Sequence, residues 1–132
     1  MLFGYGSTAG IWLCTQAVDM RKSFDGLSGE VRQKLGKDPV SGDYFVFVNK
    51  RSDLMKILVW DRHGFWVLAK RLERGRFHVP YRGSANVCMT FPWEEMLCMI
   101  EGIDATKIRR QKRFSPLSAK KLLTNRNGGI IL

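Results

Sequence analysis

The sequence predicts an α+β fold: an antiparallel β-meander packed by an N-terminal helix, with a second short helix and a basic C-terminal arm. Three observations predict it. Residues 43–76 hold three apolar runs separated by turn residues, two other segments carry apolar residues at helical spacing, and residues 105–132 carry eight basic and no acidic side chains. A chain of 132 residues that is 45% hydrophobic can bury one core, so we expect a single domain over 1–104 and an arm, in part disordered, over 105–132.

The N-terminal part predicts a strand followed by a helix. Ile11–Cys14 is a short apolar run and is expected to be a strand. Asp19 is the expected N-cap of the helix, which ends at Gly36. Its apolar stripe follows intervals of three and four residues and contains Met20, Phe24, Leu27, Val31 and Leu35.

Two features of this helix carry specific expectations. Phe24 is the largest residue of the stripe and lies in its middle, so we expect it to be buried between helix and sheet. Gly26 and Gly29 weaken a helix by about 1 kcal/mol each relative to Ala, and we expect them to permit close approach to the sheet. Arg21 and Lys22 are expected in the first turn, where an ion pair with Asp19 or Asp25 is favoured over a bound phosphate.

The central segment predicts the meander. Tyr44–Val48 is continuously apolar, which indicates a strand covered on both faces, whereas Leu54–Asp61 alternates between two faces. A turn at 61–64, with Gly64 supplying positive φ, joins it to a strand at 65–72. A second turn at 73–75 leads to a fourth strand at 77–79.

Aromatic and helical patterns complete the expected fold. Trp60 and Trp66 flank the 61–64 turn, where exposed rings would stack on unpaired bases; we expect both in the core, as is usual for Trp at alternating strand positions.

Pro92 is suited to the first turn of a second helix, and Gly102 ends that helix. Its predicted apolar face contains Trp93, Met96, Leu97 and Ile100.

The charge distribution indicates an anionic partner. Residues 1–104 carry 14 basic and 12 acidic side chains and are nearly neutral, so most of the net charge of +10 resides in the arm. Such polycations bind nucleic acid or, less often, an acidic membrane surface. The candidate DNA-binding residues are Lys50, Arg51, Lys70, Arg71, Arg74, Arg76, Lys107, Arg109, Arg110, Lys112 and Arg113. The alternatives are a solvated face that protects the sheet edges and a disordered tail that aids solubility.

The sequence predicts no enzyme, cofactor, metal or small-molecule substrate. Asp43, Asp61 and Glu73 are the strand-end acids of the meander and do not form a recognisable catalytic set. His63 and His78 lack the close pairing of zinc ligands.

Cysteine usage and apolar runs indicate the compartment. Three cysteines at unrelated spacings favour a reducing, cytoplasmic environment and a role as small core residues. Glycines at 4, 6 and 10 interrupt any signal-peptide core, and no run of about twenty apolar residues predicts a membrane span.

Four motifs resemble a known family: DMRKSFDGL (19–27), DPVSGDYFVF (38–47), the LVWD–G–FWVLAKRLERGRF run (58–77) and MIEGID (99–104). Over residues 10–114 the chain resembles the small accessory protein, TnpB, of the bacterial insertion-sequence group numbered sixty-six. The resemblance implies a role beside a large transposase and a second small protein in moving the element, and it brings no catalytic residue. The Pro-Trp-Glu-Glu start of the second helix and residues 115–132 depart from the family's pattern.

We therefore expect a non-catalytic accessory factor of transposition that binds DNA through basic turns and the arm. The alternative is an adaptor that docks the transposase without contacting DNA directly. Clustering of the candidate cations on one face favours the first, and a large exposed apolar patch favours the second.

Overall fold

The computed structural model describes residues 9–103 and confirms the predicted α+β class. Within these residues, five strands form one sheet in the order β4-β3-β2-β1-β5. The strands are β1 (Ile11–Cys14), β2 (Tyr44–Val48), β3 (Leu54–Asp61), β4 (Gly64–Arg71) and β5 (Cys88–Thr90). Strands β2, β3 and β4 form the predicted antiparallel meander, β1 runs parallel to β2, and β5 runs antiparallel to β1.

Two helices cover opposite faces of the sheet. Helix α1 (Phe24–Glu30) continues into a π-helical segment, Val31–Leu35, and α2 (Trp93–Ile100) follows β5. Every residue of β2 is buried, as its continuous apolar run predicted. Tyr44, Val46 and Val48 pack with Met96 and Met99 of α2. On the other face the side chains that pack with α1 and its extension are Phe45, Phe47, Leu27, Val31 and Leu35.

Helix α1 begins later than the sequence predicted, so two expectations about it are wrong. Ser23, and not Asp19, precedes the first helical residue, and Phe24 is 48% exposed. The cause lies in β3: the ammonium of Lys56 donates to the carbonyl oxygens of Met20 and Lys22 at 2.8 and 2.9 Å. These bonds hold residues 20–22 outside the helix, and the burial of the stripe starts at Leu27.

The glycines of α1 also differ from expectation. A Cβ on Gly26 would meet the side chain of Lys22 at 2.9 Å, whereas a Cβ on Gly29 would have no neighbour within 4 Å. Neither glycine therefore marks a close approach to the sheet. Gly26 instead leaves room for the stem of Lys22.

The β3–β4 hairpin has the predicted position but different turn chemistry. Asp61 pairs with Gly64, and the positive φ of 60° falls on Arg62. Trp60 packs edge-to-face against Phe65 with ring centroids 5.0 Å apart. Trp66 is 50% exposed, contrary to the expected core position, because β4 is at the edge of the sheet.

Residues 77–79 do not form the predicted fourth strand of the meander. Gly75 has φ of 75°, and the chain then crosses the end of the sheet, where the amide of Phe77 donates to the carbonyl oxygen of Ser52 at 2.6 Å. The fifth strand is β5, which pairs with the free edge of β1. Its three residues follow a turn-rich segment and show no strand periodicity.

Helix α2 has the predicted position, but its buried face differs: Cys98 and Met99 are buried, and Leu97 of the predicted face is only half-buried. It begins after Pro92, buries Met96 and Met99, and is followed by Gly102 at φ of 77°. In the part of the chain that the structure describes, no helix has the length and apolar character needed to cross a membrane.

Candidate nucleic-acid interface

The sheet topology gathers cations at one end of the meander. Leu54 pairs with Arg71, so the β2–β3 turn and the residues after β4 lie at the same end. Backbone hydrogen bonds from Leu72 to Asp53 and from Phe77 to Ser52 hold residues 72–77 against that turn. We call this region the basic end and define it by Lys50, Arg51, Arg71, Arg74 and Arg76.

The β2–β3 turn has an internal support that sequence reasoning missed. The Asn49 side-chain oxygen accepts from the amides of Asp53 and Leu54 at 3.0 and 3.1 Å, and its amide group donates to the Asp53 carboxylate at 2.7 Å. Ser52 adopts φ of 59° within the same turn. The turn therefore projects Lys50 and Arg51 into solvent from a fixed backbone, since both are exposed.

Acidic neighbours compensate part of this charge. Arg51 lies 3.8 Å from the Asp53 carboxylate, and Arg71 lies 3.2 Å from Glu73. The hydrogen bond from Asn49 lowers the pKa of Asp53, with smaller contributions from Arg51 and Arg71. Arg51 in the turn and Arg71 at the end of β4 are thus both attracted to the Asp53 carboxylate, and this attraction favours the approach of the two elements.

Three cations of the basic end have no acidic partner among the described residues. Lys50, Arg74 and Arg76 are exposed and form no ion pair with any residue in the range 9–103. Exposed ion pairs of the Arg71–Glu73 kind contribute about 0–1 kcal/mol, so an incoming phosphate can replace them. The basic end therefore offers an anion both free and exchangeable cationic groups.

The remaining candidate cations, and Arg62, are not part of the basic end. The ammonium of Lys70 donates to the carbonyl oxygen of Ile100 at 2.7 Å and so binds the C-terminal end of α2. Arg62 lies at the opposite end of the sheet, in the β3–β4 turn. Lys107, Arg109, Arg110, Lys112 and Arg113 lie outside the described residues.

Arg82 is a structural cation. Its guanidinium donates to the carbonyl oxygens of Val48 and Asn49, and partial burial lowers its pKa. These bonds fix the loop around residues 80–84 to the basic end.

The pair Arg21–Asp19 confirms the expectation of a local ion pair in this segment. The guanidinium nitrogen Nη2 lies 2.6 Å from the carboxylate, and two further bonds come from Nε. Hydrogen bonds from Arg21 lower the pKa of Asp19 to about 2. The Asp19 carboxylate is therefore paired with a cation of its own segment.

A groove of about 570 Å³ opens between the β1–α1 connection and the β2–β3 turn. Met20 and Leu54 supply apolar surface, and Lys50 and Arg51 supply cations. The other lining residues are Ala17, Val18, Asp19, Arg21 and Asn49. The groove thus combines apolar and cationic surface at the basic end.

Tyr81 is a second feature of this end that the sequence did not reveal. It is 60% exposed and adopts a left-handed backbone with φ of 57°. The dipeptide Pro80-Tyr81 before Arg82-Gly83 signals a turn, but only the long-range bonds of Arg82 place that turn beside the cations.

The strand-end acids do not converge. Asp43 accepts hydrogen bonds from the Gly10 amide and the Trp12 indole at 2.8 and 2.9 Å. Asp61 accepts from Trp66 at 3.3 Å, and Glu73 lies at the opposite end of the sheet beside Arg71. Within residues 9–103, no group of three or more His, Cys, Asp or Glu is placed to hold a metal ion.

The cysteines behave as core residues. Cys14 and Cys98 are buried, Cys88 is half-buried, and all three are free thiols. Burial raises the pKa of each thiol, which keeps the thiols protonated and weakly reactive.

Exposed large hydrophobic residues occur on five separate segments of the described chain. They are Phe24, Val40, Trp66, Tyr81 and Ile103. Tyr81 and Trp66, at 60% and 50%, are the most exposed of the five.

Lys56 positions one wall of the groove, and its removal is expected to destabilise the fold. Lys56→Met keeps an apolar stem but leaves the carbonyl oxygens of Met20 and Lys22 without their charged donor. Hydrogen bonds to a charged group contribute about 1.5–3 kcal/mol, and we expect a loss of that order in urea denaturation. The matched control is Lys50→Met in the neighbouring turn, expected within about 0.5 kcal/mol of wild type. Equal stabilities for the two variants would contradict a structural role for Lys56.

Comparison with known proteins identifies the family. Residues 9–110 match the TnpB family model described as IS66 Orf2 like protein, so the chain belongs to this family. Membership implies a transposition-associated accessory role and association with the transposase or other proteins of the element.

Two relatives come from Sinorhizobium fredii (strain NBRC 101917 / NGR234). Uncharacterized protein y4jC is 37% identical over 101 residues, covering 76% of this chain and 85% of the relative. Uncharacterized protein y4hO is 36% identical over 99 residues, covering 75% and 84%. No solved structure matches the chain.

Proposed function

We propose that the protein is a non-catalytic, cytoplasmic accessory factor of transposition that binds DNA through its basic end and its C-terminal arm. The observation that carries the proposal is the convergence of Lys50, Arg51, Arg71, Arg74 and Arg76 at one end of the meander. Lys70 borders the same region from the edge strand.

The mechanism is phosphate binding with little base readout. Lys50, Arg74 and Arg76, which have no acidic partner within residues 9–103, attract the DNA backbone, and the planar guanidinium groups donate two parallel hydrogen bonds to a phosphate. Arg51 and Arg71 exchange their carboxylate partners for phosphate. Because these contacts are made to the DNA phosphates and not to the bases, they fix the position and orientation of the protein on the duplex without selecting a sequence.

The test is the salt dependence of duplex binding. Arg74→Gln combined with Arg76→Gln is expected to reduce the magnitude of the log–log salt slope by about 1.8, because each phosphate contact contributes about 0.9. The readout is fluorescence anisotropy of a labelled duplex over a range of salt concentrations.

The matched control carries the same change at two exposed arginines away from the basic end. Arg32 lies in the π-helical segment that leads back towards the start of β2, and Arg62 lies in the β3–β4 turn. Arg32→Gln combined with Arg62→Gln is expected to leave the slope unchanged. Equal changes for both pairs would mean that only net charge matters, and the basic end would not be the binding surface.

Docking to the transposase is the second candidate function, favoured by the exposed edge strand. β4 has eight residues, pairs with β3 on one side, and carries the half-exposed Trp66. Open strand edges accept an additional strand from a partner. Duplex affinity no tighter than about 10⁻⁴ M near physiological salt, together with transposase binding that survives neutralisation of the basic end and arm, would establish this function instead.

A further inference from the structure

Tyr81 has an exposed ring held in an uncommon backbone conformation. Its φ of 57° belongs to the left-handed region, which bulky residues seldom occupy. The ring is 60% exposed, and its hydroxyl forms no hydrogen bond with any residue in the range 9–103. Strained residues of this kind concentrate at binding sites, where the surrounding structure maintains them.

Long-range bonds on both sides of Tyr81 fix its loop. The amide of Gly83 donates to the carbonyl oxygen of Thr15 at 3.1 Å. The side-chain amide of Gln16 donates to the carbonyl oxygen of Ser84 at 3.0 Å. Arg82 binds the carbonyl oxygens of Val48 and Asn49. The loop is thus tied to the end of β1 and to the turn that carries Lys50.

The groove lies on the same turn. Asn49 accepts from Arg82 through its carbonyl oxygen and also lines the groove, so the residue that follows Tyr81 contacts the same cationic turn that borders the groove. Met20 and Leu54 form an apolar surface in the groove, with Lys50 and Arg51 beside it. An exposed aromatic ring, an apolar recess and adjacent cations are the combination that binds unpaired nucleotides.

We infer that the basic end binds single-stranded DNA, with one base stacked on Tyr81 and a neighbouring base in the groove against Met20 and Leu54. Lys50 and Arg51 bind the intervening phosphates. In a duplex the faces of internal bases are stacked on one another, so neither the ring nor the recess can reach them. This inference rests on the proposed function, because the same cations supply the phosphate contacts.

The experiment compares an oligothymidylate with a duplex of equal length at one salt concentration. Tyr81→Ala is expected to weaken binding of the single strand about tenfold, within the range that one stacked base contributes, and to change duplex binding less than twofold. Tyr81→Phe retains the ring and is expected to bind both probes like wild type. Trp66→Ala removes a ring that is 50% exposed near the opposite end and is expected to change neither affinity.

Folding is controlled by a glycine variant. Glycine adopts φ of 57° without strain, so Tyr81→Gly is expected to lose single-strand affinity like Tyr81→Ala while its melting temperature stays the same or rises. That result would show that the loss of single-strand affinity comes from the missing ring and not from a disturbed loop.

The outcomes distinguish this inference from the proposed function. If Tyr81→Ala leaves single-strand binding unchanged, or weakens both probes equally, the stacking site is wrong. If the salt slope for duplex binding still falls when Arg74 and Arg76 are replaced, the proposed function stands without the stacking site. Failure of the wild-type protein to bind either probe overturns both.

Discussion

Replacing Phe47 with alanine is expected to lower the free energy of unfolding by about 3–5 kcal/mol. Phe47 lies in the central strand β2, is fully buried, and packs in the cluster beneath α1 with Leu27 and Val31. Truncation removes its apolar contacts and leaves a cavity that a central strand cannot close. Since domains of this size are stable by about 5–15 kcal/mol, the loss is a large part of the total. Urea denaturation followed by circular dichroism measures it.

The matched control is the same substitution at Phe24. Its side chain is 48% exposed at the first residue of α1, so Phe24→Ala is expected to cost no more than about 1 kcal/mol. A loss at Phe24 as large as that at Phe47 would mean that α1 turns its N-terminal residue towards the sheet, as the apolar stripe alone predicts.

Neutralising the arm is expected to have the largest effect on DNA binding. Changing Lys107, Arg109, Arg110, Lys112 and Arg113 together to glutamine removes five cations. If each holds a phosphate, the magnitude of the log–log salt slope for duplex binding falls by about 4.5, because each contact releases counterions. Anisotropy titrations of the full chain and the variant over the same salt range measure the difference.

A control keeps the charge and changes the donor geometry. Replacing Arg109, Arg110 and Arg113 with lysine preserves the net charge of +10, so the slope is expected to stay near that of wild type. A slope that the five glutamines do not alter would assign duplex binding to the basic end alone. Equal folding of all variants is checked by circular dichroism.

Much of the sheet was predictable because its patterns are local. Continuous burial of β2 and the alternation of Met55, Ile57 and Val59 follow from the side-chain period of two, and the structure places both as predicted. Helix α2 was predictable for the same reason, since Pro92 and Gly102 bracket a short apolar face.

The start of α1 and the fifth strand were not predictable from local patterns. Lys56 fixes residues 20–22 from 36 and 34 positions away, and it overrides a stripe that would otherwise begin at Met20. Strand β5 forms because the edge of β1 that faces away from β2 has backbone groups that need partners. A strand of three residues is too short for its side-chain alternation to predict this pairing.

The candidate site divides in the same way. The sequence by itself determined which residues are cationic and that they lie at turns and strand ends, because charge and turn chemistry are properties of short segments. Only the tertiary structure decided that Lys50, Arg51, Arg71, Arg74 and Arg76 share one end, that Lys70 is engaged by α2, and that Arg82 binds the turn bordering the groove. Those arrangements depend on strand register and on hydrogen bonds between residues 30 and 34 positions apart along the chain, which no local pattern encodes.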